Sequence, residues 1–151
     1  MSDMIEIRID SAKLVAALRR LIASGRDLTP AMRRAAGIMH DAVEENFEQE
    51  GRPKWKSLAA STIKQRSKDG SWPGKVLQRR GNLARSITRH ADAESAMVGT
   101  NLVYAAIHQL GGQAGRGRKV KIPARPYLEL TRDDEDAIEK SFAKFLGEAV
   151  G

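Results

Sequence analysis

Apolar side chains recur along this chain with two periods, and the changes of period mark its elements. Ile5, Ile7 and Ile9 alternate with Glu6, Arg8 and Asp10, the period of two expected of a short half-buried strand. The spacing then lengthens. Leu14, Leu18, Leu21 and Ile22 form one stripe of a helix that Asp10 or Ser11 can cap and Ser24-Gly25 ends. Thr29-Pro30 is a restart signal, a hydroxyl cap followed by proline at the first helical position. The second helix is predicted to run to about Glu50. Its apolar face is Met32, Ala35, Met39, Ala42, Val43 and Phe47, and Asp41, Glu44, Glu45 and Glu48 keep the other side wet.

From Gly51 the pattern breaks. Gly51-Arg52-Pro53-Lys54-Trp55-Lys56 reads as a basic connection carrying an aromatic, and Ser61-Thr62-Ile63-Lys64 as a short helix. Ser67 to Gly74 has loop composition. A short helix is predicted over Leu83, Ser86 and Ile87. Two strands follow, near 87–90 and 96–99, joined by a polar turn around Asp92. Asn101 caps a predicted helix over Val103, Tyr104, Ile107 and Leu110, stopped by Gly111-Gly112. Gly115 to Arg118 reads as a flexible basic tip, and Val120 and Ile122 as a last strand. Beyond Pro123 and Pro126, Thr131 caps a final helix that buries Ile138, Phe142, Phe145 and Leu146, with Asp133, Asp134 and Glu135 at its positive end.

This order predicts an α+β fold. One domain over residues 1–151 is expected: a small antiparallel or mixed sheet against two N-terminal helices and a C-terminal helix, with long basic loops. Residues 66–76 and 112–118 are the expected flexible loops. The 41% hydrophobic and 30% charged content suits a globular domain with a core of its own. With no cysteine there is no disulfide and no thiolate metal site. The start resembles no signal peptide and no apolar run is long enough to span a bilayer, so synthesis in a cytoplasm and no membrane partner are expected.

Charge is distributed unevenly. The net charge is +7, yet residues 51–90 hold eleven Lys/Arg against the single acid Asp69. Residues 129–151 hold three basic against seven acidic residues. Three readings follow: a solvated basic loop, an anionic partner for the middle, or the basic middle of one copy meeting the acidic end of another.

Catalytic chemistry finds little support. His40, His90 and His108 have no metal-ligand spacing, and His40-Asp41 is adjacent, so the two side chains diverge on a helix. No nucleophile elbow exists; Ser86 lies between Arg85 and Ile87. The Gly111 to Gly117 run lacks the Lys-Ser/Thr ending of a phosphate loop. No catalytic, metal or cofactor-binding residue is therefore expected. Nucleic-acid binding is the alternative function, because Trp55 and Trp72 sit among basic residues and aromatics can stack on bases. Against it, no known reading module is visible and aromatics make up only 5%.

Three segments, in order, resemble the phage virion morphogenesis family. They are Val76-Leu77-Gln78-Arg79-Arg80-Gly81-Asn82-Leu83-Ala84-Arg85-Ser86-Ile87, Tyr104-Ala105-Ala106-Ile107-His108-Gln109-Leu110-Gly111-Gly112, and Ile122-Pro123-Ala124-Arg125-Pro126-Tyr127-Leu128. Upstream, Trp55-Lys56-Ser57-Leu58 and Thr62-Ile63 are similar to a further patch of that family. Arg80 and Glu129 depart from its pattern, where Thr or Ser and Gly are usual.

The residues also have physical readings of their own. Gly81 suits a turn needing positive φ, and Leu83 and Ile87 share a helical face. Pro123 and Pro126 stiffen an extended segment from which Arg125 locks onto a carboxylate or onto backbone carbonyls. Tyr104, His108, Gln109 and Arg125 stand between packing and subunit contact.

The resemblance implies a structural protein that completes a contractile phage tail and readies it for head joining, at the head–tail junction of the virion. Its implied partners are further copies in a ring, the tail tube and the head–tail connector proteins. By analogy with tail terminators a hexamer is one such ring. Non-specific contact with DNA through the basic middle is a further expectation. Trp55, Gly81, Leu83, Ser86, Ile87, Tyr104, His108, Gln109, Gly111, Pro123, Arg125, Pro126 and Tyr127 are the candidate motif or interface residues.

Overall fold

The structure, a computed structural model, describes residues 11–70, 74, 77, 82–100, 109, 112–114, 120–122 and 124–147. In chain order these form α1 (Ala12–Ala23), α2 (Thr29–Glu48), α3 (Ala60–Asp69), α4 (Asn82–Arg85), β1 (Thr88–Ala91), β2 (Ala96–Gly99), β3 (Gly112–Ala114), β4 (Val120–Ile122) and α5 (Arg132–Leu146). The fold is α+β. Among the described residues the strands pair as β1-β2 and β3-β4. Each is joined to its partner by a short connection, so each pairs with the strand next in sequence.

The chain divides into two compact units, one of Met1–Ile5, Val43–Ile87 and Gly99–Glu129, the other of Glu6–Ala42, Thr88–Val98 and Leu130–Gly151. The second unit holds a core of Leu14, Ala17 and Leu21 from α1, Ala31, Met32 and Ala35 from α2, and Ile138 and Phe142 from α5. Ser11 caps α1, its side chain accepting from Leu14 N. Of the stripe read from the sequence, Leu14 and Leu21 are buried and Leu18 is half-buried, while Ala17 joins them and Ile22 is 69% exposed. At about 100° per residue the buried arc centres on Leu14, Ala17 and Leu21, which leaves Ile22 near its edge.

Thr29 was expected to cap α2, but Asp27 takes part at that end. Its Oδ1 accepts from Thr29 N at 3.0 Å and from Thr29 Oγ1 at 2.7 Å. These bonds hold the Asp27 carboxyl below its ordinary range, the hydroxyl first. α5 begins with a capping box between Thr131 and Asp134 and ends at Gly147, whose φ is +76°. Lys13 of α1 reaches Asp136 at 3.4 Å and Glu139 at 3.2 Å on α5. Arg26 donates to Phe145 O at 2.8 Å and lies over the Phe145 ring. Between β1 and β2, Asp92 Oδ1 accepts from Glu94 N, Ser95 N and Ser95 Oγ, which closes the turn foreseen there and lowers the Asp92 pKa.

In the first unit, α3 is longer than expected. Residues 66–69, assigned to a loop, are its last turn before Gly70 at φ +80°. Residues 112–114, also assigned to a loop, pair antiparallel with β4 in the register Gly112↔Ile122, Gln113↔Lys121 and Ala114↔Val120. The strand predicted over Ile5 to Ile9, the helix after Asn101 except Gln109, and the tip from Gly115 to Arg118 lie outside the described residues. Among the described residues, no helix is long and apolar enough to cross a membrane.

Candidate functional site

Within the first unit, the third motif is an extended segment held from three directions. The last turns of α2 supply the first hold. Val43 and Phe47 continue the apolar face of that helix, and Asn46, at the same spacing, is 1% exposed. Burial obliges its amide to find partners. Asn46 Nδ2 donates to Tyr127 O at 2.7 Å and to Glu129 O at 2.9 Å, and its Oδ1 accepts from Arg52 Nε at 2.7 Å. Sequence reading passed over Asn46; a polar residue one turn after Ala42 and Val43 on a buried stripe was the available signal.

The connection from Gly51 to Ser57 supplies the second hold. It turns back on α2 through Gly51 N to Asn46 O at 2.8 Å and Trp55 N to Glu50 O at 2.7 Å. Gly51 has φ +103°. A Cβ there would meet Pro53 O and Trp55 Cδ1 at 2.6 Å, so only glycine lets the chain close around the indole. Trp55 is buried and its Nε1 donates to Pro126 O at 3.2 Å. Arg125, 5% exposed, donates through Nε to Lys56 O at 2.9 Å and through Nη2 to Ser57 O at 3.0 Å. Of the two locks foreseen for this arginine, backbone carbonyls are the one realised. Burial, and then the charge of Arg66 on α3, pull the Arg125 pKa down. Arg66 is itself buried and was not singled out from the sequence.

Gln109 supplies the third hold, donating to Leu128 O at 3.2 Å and accepting from Leu128 N at 2.9 Å. Enclosed by these contacts, Tyr127 is fully buried. Its ring stacks on Phe47 with centroids 5.3 Å apart, and Phe47 meets Trp55 edge-on at 6.0 Å. Burial pushes the Tyr127 phenol up to about 12.

Trp55, Gln109, Arg125, Pro126 and Tyr127 are thus brought together. Leu83 and Ile87 are buried, and between them Ser86 Oγ donates to Leu83 O at 2.6 Å. A hydroxyl has one proton, so Thr100 Oγ1, 2.6 Å away, is the donor to Ser86. Gly81, Tyr104, His108, Gly111 and Pro123 lie outside the described residues. Among the described residues, no three His, Asp or Glu side chains are placed to share a metal.

The motif residues therefore define a class of protein built on a buried hub that anchors one extended segment through its main chain. The sequence model of the phage virion morphogenesis family matches residues 9–147, and the chain belongs to that family. It is 50% identical over 133 residues to the Mu-like prophage FluMu G protein 2 of Haemophilus influenzae, covering 87% of this chain and 88% of that protein. It is 32% identical over 155 aligned residues to the "Putative capsid assembly protein G" of Escherichia phage Mu, covering 99% of each. No solved structure matches the chain.

Proposed function

We propose that the protein completes the phage tail and readies it for head joining, acting by binding and without catalysis. Copies of the chain close head to tail into a ring at the tail end, since a ring caps a tube without leaving open surfaces. Its neighbours there are the tail tube and the head–tail connector proteins. The name of the phage Mu relative supports a place in particle assembly.

The observation that carries this reading is what the buried polar residues of the hub do. Asn46, Gln109 and Arg125 are buried and bonded to main-chain groups. Catalytic groups face a cleft where a substrate reaches them. These three instead fix the path of the chain, as a building block requires. Ile22 and Met97 are the large apolar side chains that the described surface offers to a contact between copies.

Light scattering across a concentration range tests the ring. A multimer of defined mass is expected, and a monomer at every concentration overturns it. A phage lacking the gene tests the place of action. Heads and tails that fail to join, restored by the intact gene, are expected; a normal yield of particles overturns tail completion.

A further inference from the structure

The whole excess of positive charge belongs to one compact unit. The unit built on Val43–Ile87 and Gly99–Glu129 holds fifteen Lys/Arg and seven Asp/Glu, whereas the other holds eleven and twelve. Within the first unit, Lys54 and Lys56 flank the buried Trp55 and are both exposed. Lys64 and Lys68, four residues apart on one face of α3, are also exposed. Arg125 bonds the main chain of Lys56 and Ser57 and feels the charge of Arg66 on α3, which links the segment of the first pair to the helix of the second.

From this arrangement we infer that the surface of Lys54, Lys56, Lys64 and Lys68 binds the phosphate backbone of double-stranded DNA without reading its sequence. Two observations favour a nucleic acid over an acidic protein. Protein interfaces centre on buried apolar or aromatic anchors and are poor in lysine. The large hydrophobic side chains exposed among the described residues, Ile22 and Met97, both belong to the other unit. Lysine ammonium groups on flexible stems suit a uniform row of phosphates, which positions a protein but carries no sequence information. The buried Trp55, hydrogen-bonded to Pro126 O, is not available to stack on bases, so the base-reading role open to it from sequence is removed.

The test measures binding of the full chain to two duplexes of unrelated sequence, by anisotropy, over a series of salt concentrations. Comparable affinity for both is expected, falling steeply with salt. A variant with Lys54, Lys56, Lys64 and Lys68 all changed to Gln is expected to bind at least about tenfold more weakly at low salt, with the salt slope reduced by about 3–4. A control loses the same charge from the other unit through Arg19→Gln, Arg33→Gln, Arg34→Gln and Lys140→Gln, and is expected to keep the wild-type slope within about one. Changing the four lysines to Arg retains charge and is expected to retain binding. The inference is overturned if the wild type binds no duplex, if it strongly prefers one sequence, or if both Gln variants lose equal slope. It is also overturned if the lysine variant loses oligomer mass while keeping DNA affinity, because the surface then meets another protein copy.

Discussion

Gln109 grips both ends of the Leu128 backbone, donating to its carbonyl at 3.2 Å and accepting from its N–H at 2.9 Å. One side-chain amide does for Leu128 what a neighbouring strand does for a residue in a sheet. Leu128 is 5% exposed and Gln109 7%, so water cannot readily take over either bond. Gln109→Leu is expected to destabilise the fold by about 2–4 kcal/mol, because it leaves a buried donor and a buried acceptor unpaired. Gln109→Glu keeps the acceptor but sets a carboxylate against Leu128 O, and is expected to cost at least as much. Urea unfolding of the three proteins checks this; equal midpoints would show that the bonds contribute nothing.

Arg125 was open to two roles from sequence, subunit contact or packing. Its bonds to Lys56 O and Ser57 O make folding the first casualty of its loss. Arg125→Ala is expected to lower the melting temperature by an amount equivalent to about 2–4 kcal/mol. Arg125→Lys is expected to recover only part, since one ammonium replaces a planar fork that serves two carbonyls. Thermal unfolding and oligomer mass together decide the matter. A normal melting temperature with a reduced mass would return Arg125 to the interface.

Gly51→Ala is expected to be more damaging than any other glycine-to-alanine change among Gly25, Gly51, Gly70 and Gly147. All four have positive φ, but only at Gly51 does a Cβ also strike backbone and a buried ring. Gly25→Ala, Gly70→Ala and Gly147→Ala meet open space and are expected to cost about 1 kcal/mol each from conformation alone. Ranking the four by denaturant midpoint is the measurement. A Gly51→Ala protein as stable as the other three would refute the packing argument.

The Tyr127 phenol ties stability to alkaline pH. Its pKa is raised from 10.0 to about 12 by burial, so the folded state holds the proton more tightly than the unfolded state. This contribution is fully present below pH 10 and is lost as the pH rises through about 12, because the unfolded chain ionises first. Tyr127→Phe removes the titration and is expected to flatten the fall in stability over that window relative to wild type. Unfolding free energies at closely spaced alkaline pH values would show it; parallel curves would contradict the assignment.

Much of the helical skeleton is legible in the sequence. Thr131 followed by Asp134, and Ile138 spaced from Phe142, define α5 through local rules of capping and period, which need no knowledge of neighbours. The turn around Asp92 was legible for the same reason, since an Asp carboxylate caps the next residues' own N–H groups. β3 was not legible. Gly112-Gln113-Ala114 has no strand preference, and only pairing with Val120 to Ile122 makes it one.

The hub around Tyr127 divides the same way. The sequence by itself determined that Trp55, Gln109, Arg125, Pro126 and Tyr127 belong to a family pattern, that helices flank them, and that positive charge gathers in the middle of the chain. Tertiary structure alone decided that Asn46, a polar residue on an apolar helix face, would serve the carbonyls of Tyr127 and Glu129 more than eighty residues away. It also decided that Arg125 would turn inward to Lys56 and Ser57. The physical reason is range. Capping and periodicity act within a few residues and leave a mark in the local sequence. A buried polar side chain is satisfied by whichever backbone the fold brings to it, and main-chain carbonyls carry no residue signature.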